Sequence, residues 1–388
     1  MAVPHIYIIS GEPSGDRLGA KLLLALKRKT LNKIQFSGIG GSEMESHGLI
    51  SHFPMSELTV MGITEVIPRL PNLFKRISET VEHIINSQPD LIVTIDSPDF
   101  TLRVLKRLRN ANIPIVHYVA PSVWAWKPNR ARKLAELADH LLTLLPFEPS
   151  YFRRVGLNST FVGHSVIESD AGKGNGVEFR KRHNIAKEDR VLCLLAGSRI
   201  GEINRLLPIF KDAITLLNLT DLRLIMPAVE HTANEINIKT SQWSNPPIII
   251  SDENEKFAAF AASNAAIAAS GTVSLELALA KVPYVTVYKF NILTALIAKY
   301  MVKTRFVNIV NILLKCEVVP ELIQSNCNGH KIAKYIIKYL NNPDEAAEQI
   351  KRFKGAIAQL KFGQEQPSDL AARVILDVIK MREKVNLR

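Results

Sequence analysis

Short, nearly continuous apolar runs recur along the first half of the chain, each closed by turn residues: Ile6 to Ser10, Ile34 to Gly38, Leu91 to Ile95, Ile113 to Ala120 and Leu141 to Leu145. Runs without polar alternation predict parallel strands covered on both faces by helices. Between them, Asp16 to Lys29, Leu73 to Ser87, Thr101 to Ala111 and Arg130 to Ala138 carry helical spacing, so the pattern predicts βαβ units. A polar, glycine-rich stretch from Ser169 to Asn175 interrupts this alternation. It then restarts at Val191 to Ala196, Leu222 to Pro227, Ile248 to Ile250, Ala265 to Ala269 and Tyr284 to Tyr288, predicting a second open α/β sheet. From Pro343 onward the chain is helical and charged and is expected to return to the first domain. The predicted domains are therefore 1–172, joined by a C-terminal helix of about 360–388, and 173–359.

Composition fits two cores: 388 residues, 47% of them hydrophobic, exceed what one ordinary domain holds. The excess of 49 Lys and Arg over 37 Asp and Glu, a formal charge of +12, predicts attraction to phosphates in nucleic acid, anionic lipid or nucleotide-linked substrates. The bases are scattered, with no Lys/Arg block, zinc spacing or aromatic RNA-binding strand, which argues against a nucleic-acid partner. Cys193, Cys316 and Cys327 lie far apart, so neither a disulfide framework nor a zinc cluster is suggested and a reducing cytoplasm fits. The chain start lacks a basic segment followed by a long apolar one. No stretch approaches a membrane-spanning length, so the sequence reads as neither secreted nor spanning.

Open parallel sheets bind ligands beyond the carboxyl ends of their strands, so candidate chemistry is sought there. The first run enters Ser10-Gly-Glu-Pro-Ser14-Gly15-Asp16, a tight glycine turn before a helix. Its backbone N–H groups suit an anion, although it has neither dinucleotide-binding nor Walker spacing. It reads equally as a turn capped by Ser14 or Asp16. The run ending at Ile95 places Asp96 at a strand tip and Asp99 just beyond. Asp96 suits a general base if burial raises its pKa, while Asp99 also suits a helix cap. The segment His117 to Arg130 holds two of the three tryptophans. Pro121 and Pro128 bar regular pairing there, and Ser122, Trp124 and Trp126 stand beside Lys127 and Arg130. The segment is either a recognition surface for a phosphorylated ligand or a buried aromatic loop.

In the second half, Gly197-Ser198-Arg199 and Ser270-Gly271-Thr272 each follow a strand and precede a helix. Together they form two cradles for a diphosphate, with Glu276 about one turn into its helix and placed to accept the hydroxyls of a ribose. The alternative is a pair of ordinary capped helices. His164 either orients a group at an inter-domain crevice or serves structurally. No Asp-x-Asp, His-Glu-x-x-His or Gly-x-Ser-x-Gly pattern occurs, so no metal or cofactor is expected. Met61 to Ile77 mixes large apolar side chains with Arg69, Lys75 and Arg76, suiting either a bilayer interface or a core helix with solvated bases. Pro68 and Pro71 weaken any single long helix through it.

Ser-Gly-Glu-Pro-Ser-Gly-Asp (10–16), Val-Met-Gly-Ile-Thr-Glu-Val (60–66), Ile-Asp-Ser-Pro-Asp-Phe (95–100), His-Tyr-Val-Ala-Pro-Ser-Val-Trp-Ala-Trp (117–126), Leu-Pro-Phe-Glu (145–148), Phe-Val-Gly-His (161–164), Gly-Ser-Arg (197–199) and Ala-Ser-Gly-Thr (269–272) recur jointly in one family. Through them the chain resembles, nearly end to end, the lipid-A-disaccharide synthases. The resemblance implies a GT-B fold, two Rossmann-like α/β domains with parallel sheets and a crevice between them. It implies an inverting, metal-independent transfer of 2,3-diacylglucosamine from UDP to 2,3-diacylglucosamine 1-phosphate (lipid X), giving a β(1→6) disaccharide 1-phosphate and UDP. It also implies peripheral attachment at the cytoplasmic face of the inner membrane, with monomer and homodimer both open. Asp96 matches the general base, Arg199 and Asn311 match residues serving the donor and its leaving diphosphate, and Glu276 matches the ribose-binding acid. Ala196 stands where relatives commonly have proline, and Ile309-Val310-Asn311-Ile312 replaces Leu-Pro-Asn-Leu, leaving the Asn311 loop less preorganised. The other readings are a UDP-sugar 2-epimerase or a non-catalytic binder of phospholipid or nucleic acid.

Overall fold

The computed structural model describes residues 3–58, 63–269, 271–290 and 304–386. The chain divides into one unit of Met1–Ser165 with Leu360–Arg388 and a second of Val166–Gln359. The division falls ahead of the glycine-rich stretch because that stretch belongs to the second unit: a Cβ on Gly172 would stand 3.3 Å from the Leu279 carbonyl oxygen, and one on Gly174 2.0 Å from that of Phe257.

The first unit is built on a seven-stranded sheet in the order β3-β2-β1-β4-β5-β6-β7. Its strands are β1 (His5–Ser10), β2 (Gln35–Ile39), β3 (Ile50–Ser51), β4 (Leu91–Ile95), β5 (Ile115–Tyr118), β6 (His140–Thr143) and β7 (Asn158–Phe161). All its pairings are parallel, with Ile8 opposite Val93 and Val93 opposite Val116. The uniform apolar runs follow from burial on both faces. Ile6, Ile8 and Val93 enter one core with Leu22 and Ile375, while Tyr7, Ile9 and Ile92 enter another with Ile77, Ile84 and Val104. The returning helix Pro367–Asn386 is further tied to helix Pro13–Lys29 by Arg28–Asp369 at 2.8 Å.

The second unit carries a six-stranded parallel sheet ordered β10-β9-β8-β11-β12-β13. These strands are β8 (Arg190–Leu195), β9 (Leu222–Pro227), β10 (Ile248–Ile250), β11 (Ala265–Ala269), β12 (Tyr284–Tyr288) and β13 (Glu321–Ile323). One face packs Leu192, Leu194, Leu224, Ile267 and Val285 against Phe210 of helix Ile200–Leu217 and Ile332 of helix Gly329–Asn341.

Two local expectations are corrected. Residues Ile63–Ser87 form one helix that runs through Pro68 and Pro71. Burial of Ile77, Thr80 and Ile84 at three- and four-residue spacing outweighs the two missing backbone donors. The edge strands β3, β7 and β13 have two to four residues with polar members, too short to register as apolar runs.

Candidate functional site

In each sheet the strand order reverses at one place, between β1 and β4 in the first and between β8 and β11 in the second. The loops leaving a reversal point diverge and open a crevice at the carboxyl edge. Several of the predicted residues lie on loops leaving these places, whereas His164 follows β7 and Asn311 lies in helix Ile309–Leu314.

In the first unit, Ser10 pairs with Ile95 and Ile95 with Tyr118, so the loops after β1, β4 and β5 emerge side by side. Helix Pro13–Lys29 starts with proline, whose fixed φ suits a first helical position. Glycines let its turn lie against the β4 loop: a Cβ on Gly11 would stand 2.7 Å from Ser97 Oγ, and one on Gly15 2.5 Å from Ser10 Oγ. Ser14 is exposed and Gly15 buried. Asp16 does not cap its own helix. It is buried, and its carboxylate accepts from the backbone N–H of Gly41 (2.8 Å), Glu43 (3.1 Å) and Met44 (3.2 Å), which fastens the loop after β2.

Asp96 and Ser97 both hold left-handed backbone, φ 49° and 47°, which is uncommon for residues with side chains. The surroundings impose it: the Asp96 N–H donates to Tyr118 O at 3.0 Å, and its carbonyl accepts from Thr101 Oγ1 at 3.1 Å. This double anchor turns the half-buried carboxylate out of the strand. Burial raises its pKa above the usual aspartate value, opposed by a hydrogen bond from the Ser97 backbone. Asp99 is exposed in the first turn of helix Pro98–Arg107.

The loop after β5 begins at Val119, β-branched yet at φ 82°, and folds back through N–H bonds from Ala125 and Trp126 to the Ser122 carbonyl at 3.0 and 3.2 Å. Ser122 itself is exposed. Trp124 turns inward, its indole N–H donating to Glu148 Oε1 at 3.2 Å and its ring edge-on to Phe147 at 5.4 Å. Trp126 turns outward, with Lys127 Nζ at 4.6 Å and Arg130 Cζ at 4.9 Å from its ring centroid. The loop is thus half anchor and half surface, which joins the two alternatives the sequence left open. His164 is buried beyond β7, its backbone N–H on Leu360 O at 3.0 Å, and burial pushes its imidazole down to about 4, neutral at physiological pH.

In the second unit β8 pairs with β11, setting Gly197-Ser198-Arg199 beside Gly271-Thr272. Ser270 lies outside the described residues. Gly197 has φ 100°, and a Cβ there would stand 2.4 Å from Glu202 Oε2, so the turn requires glycine. Ser198 and Arg199 are exposed at the start of helix Ile200–Leu217, where unpaired N–H groups favour an anion. Arg199 lies 3.8 Å from Glu202, and Glu202 also accepts from Tyr288 Oη at 2.9 Å. Gly271 and Thr272 are exposed, and among the described residues nothing stands within 4 Å of where a Cβ on Gly271 would be. Glu276 is half-buried and pairs with Lys256 at 3.1 Å, a cation that also lies over Phe257 at 4.6 Å.

Asn311 lies in helix Ile309–Leu314, which packs on helix Val273–Leu279. It is fully buried, donates to Val319 O (2.7 Å) and Glu321 Oε1 (2.8 Å), and accepts from Val318 N (2.8 Å) and Val319 N (2.9 Å). That bracket engages the amide within the protein and supports the 318–321 segment.

Of the segment expected to meet a bilayer, Met61 and Gly62 lie outside the described residues, Ile77 is core, and Arg76 is bound by Glu57 and Glu79 at 2.7 Å each. Phe74 is exposed, with Arg103 Cζ 5.6 Å from its ring centroid. Among the described residues no helix is long and apolar enough to cross a membrane.

Comparison with known proteins places these sites in context. The family model described as lipid-A-disaccharide synthetase matches residues 6–375. The lipid-A-disaccharide synthase of Rhodospirillum centenum is 45% identical over 381 residues, covering 97% of this chain and 95% of that one. That of Paramagnetospirillum magneticum is 43% identical over 381 residues, covering 97% of each. Among solved structures, the UDP co-structure of S. aureus MnaA superposes with a TM-score of 0.65 at 14% identity, covering 98% of this chain and 97% of that one. At that identity the likeness concerns the fold alone, which is GT-B.

Proposed function

Because this chain belongs to the lipid-A-disaccharide synthase family, we propose that its two strand-end half-sites divide the work of one hexosyl transfer. The activity is that of the family, glycosyl transfer between lipid-A precursors. In this reading the first unit takes 2,3-diacylglucosamine 1-phosphate and the second takes UDP-2,3-diacylglucosamine. Asp96 accepts the proton of the acceptor 6-hydroxyl as that oxygen bonds to donor C1. The bond from C1 to the diphosphate oxygen breaks, and UDP leaves with the electron pair. Attack from the face opposite the leaving group inverts C1 and gives the β(1→6) linkage.

The chain's own groups supply what each step needs. Arg199, the N–H groups opening helix Ile200–Leu217, and residues Ser198, Ser270, Gly271 and Thr272 take up charge growing on the diphosphate. Glu276 accepts the ribose hydroxyls, its carboxylate steadied by Lys256. Ser14, Ser122 and Trp126 face the acceptor, Gly15 shapes the turn beneath Ser14, Trp124 anchors the loop that carries Ser122, and neutral His164 braces the edge. Acyl chains on both substrates call for work at a bilayer, and exposed Phe74 beside Lys75 and Arg103 supports docking at the cytoplasmic face of the inner membrane.

The observation that carries this reading is Asp96, a half-buried carboxylate of raised pKa at the reversal point of the first sheet. The test is incubation of the purified protein with both acylated sugars in a chelator. Equal amounts of UDP and disaccharide phosphate are expected. No UDP, or UDP without disaccharide, contradicts the reading.

A further inference from the structure

The Leu145-Pro-Phe147-Glu148 motif has no part in the transfer chemistry, yet its last two side chains both grip Trp124. Glu148 is buried, and three N–H groups converge on its carboxylate: Trp124 Nε1 on Oε1 at 3.2 Å, and the backbone N–H groups of Leu144 and Leu145 on Oε2 at 3.2 and 3.0 Å. Phe147 meets the same indole edge-on, with centroids 5.4 Å apart. The motif follows β6, whereas Trp124 follows β5, so the clamp ties together two neighbouring strand-end loops. On the far side, β5 pairs with β4, and Tyr118 O holds the Asp96 N–H at 3.0 Å.

We propose that Glu148, with Phe147, is a positioning residue for the transfer, fixing Trp124 so that the 119–130 loop presents Ser122 and Trp126 to the acceptor. The proposal rests on the acceptor assignment made above. Charge chemistry explains why a glutamate is kept here. A carboxylate offers two acceptor oxygens to three donors, whereas a glutamine offers one and turns an NH₂ toward an N–H. A buried carboxylate without a cation is otherwise unfavourable, and burial pushes Glu148 up to about 7. A residue that only filled space would be better apolar.

The test is a kinetic cycle of Glu148→Gln, Trp124→Phe and the double variant, with acceptor and donor varied separately. Glu148→Gln is expected to raise the acceptor KM about tenfold, the scale of a lost hydrogen bond to a charged group, with the donor KM unchanged. The double variant should be no worse than the poorer single one, because both act through the same indole. An unchanged acceptor KM, or penalties that multiply in the double variant, overturns the proposal. If Glu148→Gln does not fold, Phe147→Leu, which removes the edge-on ring, is expected to raise the acceptor KM about threefold, the scale of one aromatic pair, and an unchanged value overturns the proposal.

A second arm needs no turnover and so stands apart from the functional reading. In a Trp126→Phe/Trp243→Phe background, Trp124 is the sole tryptophan. Glu148→Gln should then shift its emission to longer wavelength and increase its quenching by acrylamide. Unchanged emission contradicts the clamp whether or not the protein is active.

Discussion

Asp96 combines two local conditions, a backbone forced left-handed by Tyr118 and Thr101 and a carboxylate partly withdrawn from water. Desolvation disfavours its charged form, and only the charged form accepts a proton from the acceptor. The kcat/KM profile should therefore fall on the acid side around a pKa above the ordinary aspartate value. A profile flat down to the ordinary carboxylate range contradicts that assignment. At this scale the sequence was legible where chemistry follows a strand end. Asp96, Gly197 and Arg199 could be placed after strand ends because an apolar run stops there and a polar or small residue begins. Asn311 and Glu148 are opposite cases. Their contacts depend on partners separated from them in sequence and on burial, Asn311 in its 318–321 bracket and Glu148 under Trp124, and spacing alone encodes neither. Asp16 likewise looks like a cap for the helix it begins but caps the one beside it.

The helix Ile63–Ser87 carries the membrane question. Its buried positions, Ile77, Thr80 and Ile84, fix which face meets the core and leave Phe74 and Lys75 outward, while Arg76 is occupied by Glu57 and Glu79. The docking surface is therefore narrower than the segment's composition suggests, and Arg76 contributes to folding. Changing Leu73 and Phe74 together to Ser should weaken binding to anionic liposomes in a sedimentation assay by about tenfold, the scale of burying two apolar side chains only in part. Retained binding would remove this helix as the dock. The helix also shows where local rules lose to packing: two prolines argue for a break, and the buried face of the later turns overrides them.

Across the whole molecule, the alternation of apolar runs and helical spacing was enough to read two parallel α/β sheets, because strands buried on both faces need no polar member. The edge strands β3, β7 and β13 were not legible, since their pairing is decided by the sheet they join, whereas the all-isoleucine edge strand β10 was. The two units also differ in their response to acid. His117, bonded to Thr94 Oγ1 at 2.7 Å, and His164 are buried in the first unit, and burial holds both down to about 4. Their folded pKa values lie below the unfolded value, so their contribution is complete above about pH 6.5 and is lost as pH falls toward 4. That is about 3 kcal/mol each. In the second unit His183, His231 and His330 are at least partly exposed. Glu148 of the first unit is pushed up to about 7 by burial and works the other way, gaining as pH falls, so it offsets about one of the two histidines. By the margin that remains, acidification toward pH 4 should open the first unit ahead of the second, followed by emission from Trp124 and Trp126 in one and Trp243 in the other. Simultaneous transitions at every pH contradict this difference.

The division of labour between the half-sites is tested most directly by Asp96→Asn, an isosteric change that removes only the ability to take a proton. Turnover of the two acylated sugars and calorimetric affinity for UDP are measured on the same preparation. The account predicts that kcat falls by about 10²- to 10⁴-fold, the range of positioned base catalysis, while UDP affinity stays within a factor of about two, the ordinary spread for a site left untouched. Undiminished turnover, or UDP binding lost along with it, contradicts the account.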